Sequence, residues 1–255
     1  MTARTLLGSV ALLLLFLAAW QWGPPALGVP EFLLPNLQRV AQEFVRMAGD
    51  DLWHHTGITA LEIVVGFVLG ALLGLMVGVA LGLSPAAEAV LSPYILALQI
   101  APKVAFAPLF VMWLGYTIYP KILVAILIVF FPIMINVLSA IRTVDPDMIN
   151  LVRVLNGRRL QIFRIVEFPS AMPALFSGLR IGSTLAVIGV TVGELVGGNL
   201  GLGFLLVSGE GQGNTAAVFV TIILLTLIGI AAYAAVVWTE RRVLHYLPKA
   251  QHATV

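Results

Sequence analysis

Cysteine is missing altogether, and charged residues make up only 10% of the 255 positions. The first absence excludes disulfides and thiolate chemistry and leaves the redox compartment open. The second excludes an ordinary soluble domain, in which about a quarter of residues are charged. No GxGxxG and no phosphate-cradling GxxxxGK[ST] loop occurs, so the chain is not expected to hydrolyse ATP itself. His54 and His55 are adjacent without a third ligand at a useful spacing, which argues against a metal site. The basic residues are few and distributed by loop, so the net charge of +2 and pI near 9.2 point to membrane orientation and not to nucleic acid.

What is abundant is apolar: 60% hydrophobic residues and a mean hydropathy of +1.03. Six segments reach the ~20 residues that cross a ~30 Å hydrocarbon core. They lie near residues 6–22, 56–83, 93–114, 122–141, 174–196 and 215–238. Lipid offers the backbone no hydrogen-bond partner, and the runs lack the alternation of barrel strands, so they must be helices. The expected fold is a single all-α integral membrane domain over residues 1–255. Its first segment is read as a retained helix; the rival is a secretory signal with Ala26-Leu27-Gly28 as a small-residue cleavage site.

Orientation follows from the loop charges. With the amino terminus inside, the cytoplasmic side holds Arg4, Arg142, Arg153, Arg158, Arg159, Arg164, Arg241, Arg242 and Lys249, against Arg39, Arg46 and Lys121 outside. Both termini are then cytoplasmic, and so is residues 142–169, the longest inner loop. Within it Asp145 suits an N-cap and Pro146 the first helical position. Met148, Leu151, Val152 and Leu155 form one apolar stripe, and Asn156-Gly157 should stop the helix. A second piece from about Arg159 to Phe168 should end at Pro169, bending into the fifth span. Such an amphipathic elbow is either a lipid-surface anchor or a docking knob for a cytoplasmic partner.

The run VDPDMINLVRVLNGRRLQIFRIVEFPSAMP resembles the EAA coupling motif of binding-protein-dependent ABC importer permeases. The matches are the VDP start, Arg153, Leu155, Gln161-Ile162-Phe163, Phe168-Pro169 in place of Leu-Pro, and Pro173. The motif's Glu falls on Asn150, its alanines on Leu151 and Val152, and its Gly on Asn156, with a glycine displaced to Gly157. Asn150 can hydrogen-bond but cannot form the usual charge pair. The likeness extends over roughly residues 30–245: PEFLLPNLQRVAQEF and QIAPKVAFAPLFVMWLGY resemble the nitrate, sulfonate and taurine class. FFPIMIN and TLAVIGVTVGELVGGNLGLGFLL, with APKVAFAPLFVMWLG, are similar to permeases for thiamin-precursor pyrimidines and riboflavin-like compounds.

This resemblance implies the six-helix type I importer fold and a permease that moves a small polar organic solute or anion inward across the cell inner membrane. It also implies a second copy of the chain, two cytoplasmic ATPases that bind ATP and Mg, and an extracytoplasmic substrate-binding protein. The elbow residues Asp145, Asn150, Arg153, Leu155, Asn156, Gly157, Arg158 and Arg159 would then contact the ATPase. A self-sufficient secondary transporter or channel is the alternative; it should show more buried carboxylates or broken helices in repeats near the midplane.

Other features are read from the residues alone. Gly66, Gly70, Gly74, Gly78 and Gly82 recur every four residues, predicting a close, right-handed crossing with a neighbour. Charges within spans usually face a cavity or a partner. Gln99 and Lys103, four apart, either face a polar route or mark a helix that starts nearer Ile100, with Lys103 at the interface. Glu194 either lines the pathway or caps the glycine-rich loop after it; Asn136 either bonds a neighbouring helix or lines the pathway. Arg180 is expected to be structural, and Glu62 to reach the outer surface. The loop with seven glycines between Gly197 and Gly213 is expected to form tight turns.

Overall fold

A computed structural model describes residues 3–245; Lys249 and the side chain of Arg4 lie outside that description. The helices, in chain order, are α1 (Ala3–Ala26), α2 (Leu37–Ala48), α3 (Leu52–Leu83), α4 (Pro85–Ile100), α5 (Ala107–Leu114), α6 (Ile118–Arg142), α7 (Pro146–Val154), α8 (Arg159–Ile162), α9 (Phe168–Gly197), α10 (Leu202–Gly211) and α11 (Thr215–Val243). Among the described residues five stretches are long and apolar enough to cross a membrane: Leu7–Ala26, Leu52–Leu83, Ile118–Arg142, Arg159–Gly197 and Thr215–Val243. A sixth is complete only if the bent pair Pro85–Ile100 and Lys103–Leu114 counts as one span.

That pair corrects the expected third helix at residues 93–114. The chain turns by 79° at the break. Pro102 has no N–H to donate and disfavours helical backbone before it, and Ala101 is accordingly extended at φ −52°, ψ 135°. Ahead of the break the helix starts early, at Pro85, because Ser84 accepts the N–H of Ala87 as N-cap. A second correction concerns the expected loop after Glu194: residues 202–211 are the helix α10, started after Gly201 (φ 109°) and followed by Gly213 (φ 67°).

By its contacts the chain divides into two compact units, Met1–Thr59 with Gly198–Thr226, and Ala60–Gly197 with Leu227–Val255. In the first, α1 ends where Gly28 takes φ 68° and its N–H and that of Val29 return to Pro25 O and Pro24 O. The Trp20 indole donates to Pro35 O and lies 5.4 Å from the Phe219 ring. Asn36 caps α2, whose Glu43 is buried, paired with Arg46 and bonded by Asn214. The Arg46 guanidinium, hydrogen-bonded to Glu43, holds its carboxyl below the usual carboxylate range. His55 Nδ1 accepts the Gly201 N–H and Thr59 Oγ1 that of Leu202, pinning the entry to α10.

In the second unit α6 is the centre. Its residues Ala125, Val129, Ile133, Val137 and Ile141 recur every four positions and pack with Ile63 of α3 and with Ala171, Leu175, Ala186 and Val190 of α9. The glycine row of α3 lies directly on α6: an added Cβ at Gly74 would sit 2.7 Å from Phe130 O, and one at Gly78 2.7 Å from Met134 O. On α9, Gly178, Gly182, Gly189 and Gly193 press against α6 in the same way; a Cβ at Gly189 would be 2.8 Å from the Ala125 Cα. Lipid supplies no hydrophobic drive between helices, so such backbone proximity, with its dispersion contacts, holds them.

Gly74→Leu is therefore expected to cost about 1–3 kcal/mol through overpacking, read as a lower thermal midpoint in detergent. Gly8→Leu, where nothing lies within 4 Å of the added Cβ, should leave the midpoint unchanged.

Candidate functional site

The elbow, residues 142–169, is built from its caps. Asp145 accepts the Asp147 N–H and starts α7 at Pro146. The far end closes by two reverse bonds, Gly157 N–H to Val152 O at 2.8 Å and Asn156 N–H to Arg153 O at 2.9 Å. Together they make the helix stop that requires one left-handed residue. Asn156 is that residue, at φ 58°. Gly157 is needed for a different reason: a Cβ there would meet Val152 Cγ1 at 2.4 Å. The position that the resemblance assigns to glycine is thus filled by asparagine, the side chain best able to replace it.

Beyond the turn, the Arg158 N–H donates to Gln161 Oε1 as α8 begins. The helix does not stop at Pro169, as expected, but runs on through a π-turn over Phe163–Glu167, in which the Phe168 N–H reaches back to Phe163 O. A wider turn placed just ahead of a proline accommodates its missing donor and added bulk. From Arg159 to Gly197 the backbone is one helical stretch. Buried Glu167 anchors it, bonded at 2.9 Å by Arg159. Arg153 donates to Asn150 Oδ1 within α7. Met148, Leu151, Val154 and Leu155 are exposed, at 51%, 57%, 81% and 75%.

At the other end of α6 and α9 lies a buried ionic cluster. Lys121 of α6 donates to Glu62 of α3 at 2.9 Å, and Glu194 of α9 bears on the same carboxyl. All three are at most 2% exposed, and Glu62 Oε2 has no hydrogen-bond partner. Two expectations are corrected here: Glu62 does not reach a surface, and Lys121 is not a loop charge. Because α6 begins at Ile118, Lys121 is drawn into the helix, where charge must find a partner.

The remaining candidates lie elsewhere. Lys103 does not share a helix with Gln99; it follows the break, donates to Gln99 O at 2.6 Å and stands 4.7 Å over the Phe131 ring. Asn136 bonds within its own helix, to Pro132 O at 2.7 Å, instead of across to another. It also lines a cavity of about 420 Å³ with Ser139, Thr143, Asp145 and Ser170, at the elbow end of α6 and α9. Arg180 is paired with Glu240 of α11 at 2.8 Å.

Residues 66–245, which include the glycine rows, the cavity and the elbow, match the family described as binding-protein-dependent transport system inner membrane component. The chain belongs to this family. It is a multi-pass permease subunit of an ABC importer, with the type I importer fold. This permease is 41% identical over 236 residues to the riboflavin transport system permease protein RibX of Chloroflexus aurantiacus, covering 92% of its own length and 88% of the relative's. It is 30% identical over 236 residues to the formylaminopyrimidine transport permease protein ThiX of Halalkalibacterium halodurans, covering 92% and 94%. To the taurine transport system permease protein TauC of Escherichia coli it is 29% identical over 232 residues, covering 88% and 83%.

In the permease the eight elbow candidates fall on α7, its caps, the turn after it and the start of α8. The four pathway candidates divide three ways, between the break, the cavity and the ionic cluster. Sequence reasoning missed Glu62, Lys121 and Glu167. The signal for the first two was two opposite charges bordering apolar runs of two different spans, and the 59 residues between them concealed the pairing.

Removing one member of a buried ion pair strands the other. Lys121→Met should cost about 3–5 kcal/mol; adding Glu62→Gln should recover part of the loss. Thermal unfolding of the two variants in detergent checks this.

Proposed function

We propose that two copies of this permease form an inward pathway through the cell inner membrane. Two cytoplasmic ATPases, which bind the ATP and Mg, dock on the elbows, and an extracytoplasmic binding protein delivers the solute. The supporting observation is the α7 surface: four large apolar side chains stand in the open, beside Arg153, Arg158 and Arg159, on a helix fixed at both caps. A lipid anchor would serve with arginines and apolar residues alone. The stiff turn at Asn156-Gly157 and the unbroken Arg159–Gly197 helix suit a lever, since a push on α7 is passed directly into α9.

The loop charges support placing the elbow, and with it both termini, inside. With Lys121 buried, only Arg39 and Arg46 remain of the outward-assigned basic residues, which strengthens the bias. ATP binding would draw the ATPases together, move the elbows and switch access between the two faces, as differential contact with two states requires. The solute is a small polar organic compound or anion; the names of the relatives span a flavin, a pyrimidine and a sulfonic acid.

Exchanging apolar anchors for charge should abolish docking without touching the transmembrane core. Leu151→Asp with Val154→Asp is expected to lower the ATPase recovered with affinity-purified permease by roughly tenfold or more, with the permease itself recovered in normal amount. Unchanged recovery of the ATPase would contradict the assignment.

A further inference from the structure

The cavity at the elbow end of α6 and α9 has a definite electrical character. Its polar lining consists of the Asn136 amide, the hydroxyls of Ser139, Thr143 and Ser170, and the Asp145 carboxylate, with no cation. The basic residue next to it in sequence, Arg142, is committed elsewhere, to Glu88 and to Leu81 O. Helix ends reinforce the sign. The cavity is lined by Ser139, Ala140 and Thr143 at the carboxyl end of α6, where the helix dipole is negative. The positive start of α7 is already met by Asp145 and Asp147. No positive helix terminus comes from α9 either, since its backbone continues from Arg159.

Hydrogen-bonding capacity has the same bias. The Thr143 hydroxyl donates to Ser139 O and the Asn136 amide nitrogen to Pro132 O. These bonds consume two donors, while Asp145 Oδ1 already accepts the Asp147 N–H; Asp145 Oδ2, Asn136 Oδ1 and the hydroxyl oxygens remain as acceptors, and the Ser139 and Ser170 hydroxyls can turn to donate or accept. At about 420 Å³ the space suits a ring-sized solute.

We propose that this cavity is a solute station of the pathway that accepts neutral or cationic solutes rich in N–H and O–H donors and rejects anions. The proposal rests on the permease reading above and narrows it: flavin-like or pyrimidine-like compounds fit, whereas nitrate and sulfonates meet an acceptor-lined, negative site.

The test is equilibrium binding of riboflavin, a neutral donor-bearing probe, to the detergent-purified full chain, read by fluorescence anisotropy with ethanesulfonate as competitor. Riboflavin should bind, and ethanesulfonate at equal concentration should not displace it. Ser139 is exposed, so its substitution leaves the core alone. Ser139→Lys should weaken riboflavin binding roughly tenfold and make the site responsive to ethanesulfonate; Ser139→Met, similar in length and uncharged, should not acquire that response. Displacement by ethanesulfonate from the natural protein, no riboflavin binding, or indifference of both probes to Ser139→Lys would each overturn the proposal. Continued co-purification of the ATPase in that event would leave the permease reading standing, so the two failures are separable.

Discussion

The backbone of α6 lies between two rows of glycine, one from α3 and one from α9, and the second unit depends on that closeness. A methyl group at Gly74, Gly78, Gly189 or Gly193 would sit 2.8 Å or less from a backbone atom of α6. In a medium without hydrophobic drive between helices, such proximity supplies dispersion along the full length of the contact. It also makes the trio stiff. At one end the three helices are tied by Glu62, Lys121 and Glu194; at the other, α6 and α9 lead into the elbow.

Stiffness is what gives the elbow a use. A helix of nine residues whose start is capped by Asp145 and whose end is locked by Asn156 and Gly157 can be pushed without melting. The π-turn before Pro169 keeps the path into α9 helical where a proline would otherwise interrupt it. The buried Glu167 holds Arg159 against that turn. In the proposed lever, motion applied to α7 would pass along this backbone to the helix that, with α6, walls the polar cavity.

Much of this was legible in the sequence, and the rest was hidden for identifiable reasons. Composition alone dictated helices in lipid, and the four-residue glycine repeat predicted the α3 contact. The companion row on α9 was missed because its spacing runs four, seven and four, from Gly178 to Gly193, so that no single step repeats. The elbow's N-cap and stop were readable from Asp145-Pro146 and Asn156-Gly157, but the division of labour between Asn156 and Gly157 needed backbone geometry. The break at Ala101-Pro102 was seen only as one alternative, a helix starting nearer Ile100, because the apolar run continues through it, although a residue before proline is a standing hint. The Lys121 to Glu62 pair was illegible, since long-range pairing of charges leaves no local pattern.

The central claim is that force enters this chain through an elbow facing the cytoplasm and covered there by the ATPase. Because the natural sequence carries no cysteine, Leu151→Cys provides a single thiol at the exposed face of α7. The decisive measurement is its labelling by a membrane-impermeant maleimide. Rapid labelling in inside-out vesicles stripped of ATPase, suppressed when the ATPase is restored, is the result predicted. Labelling from the outside of intact cells, or labelling that the ATPase does not slow, would contradict the account.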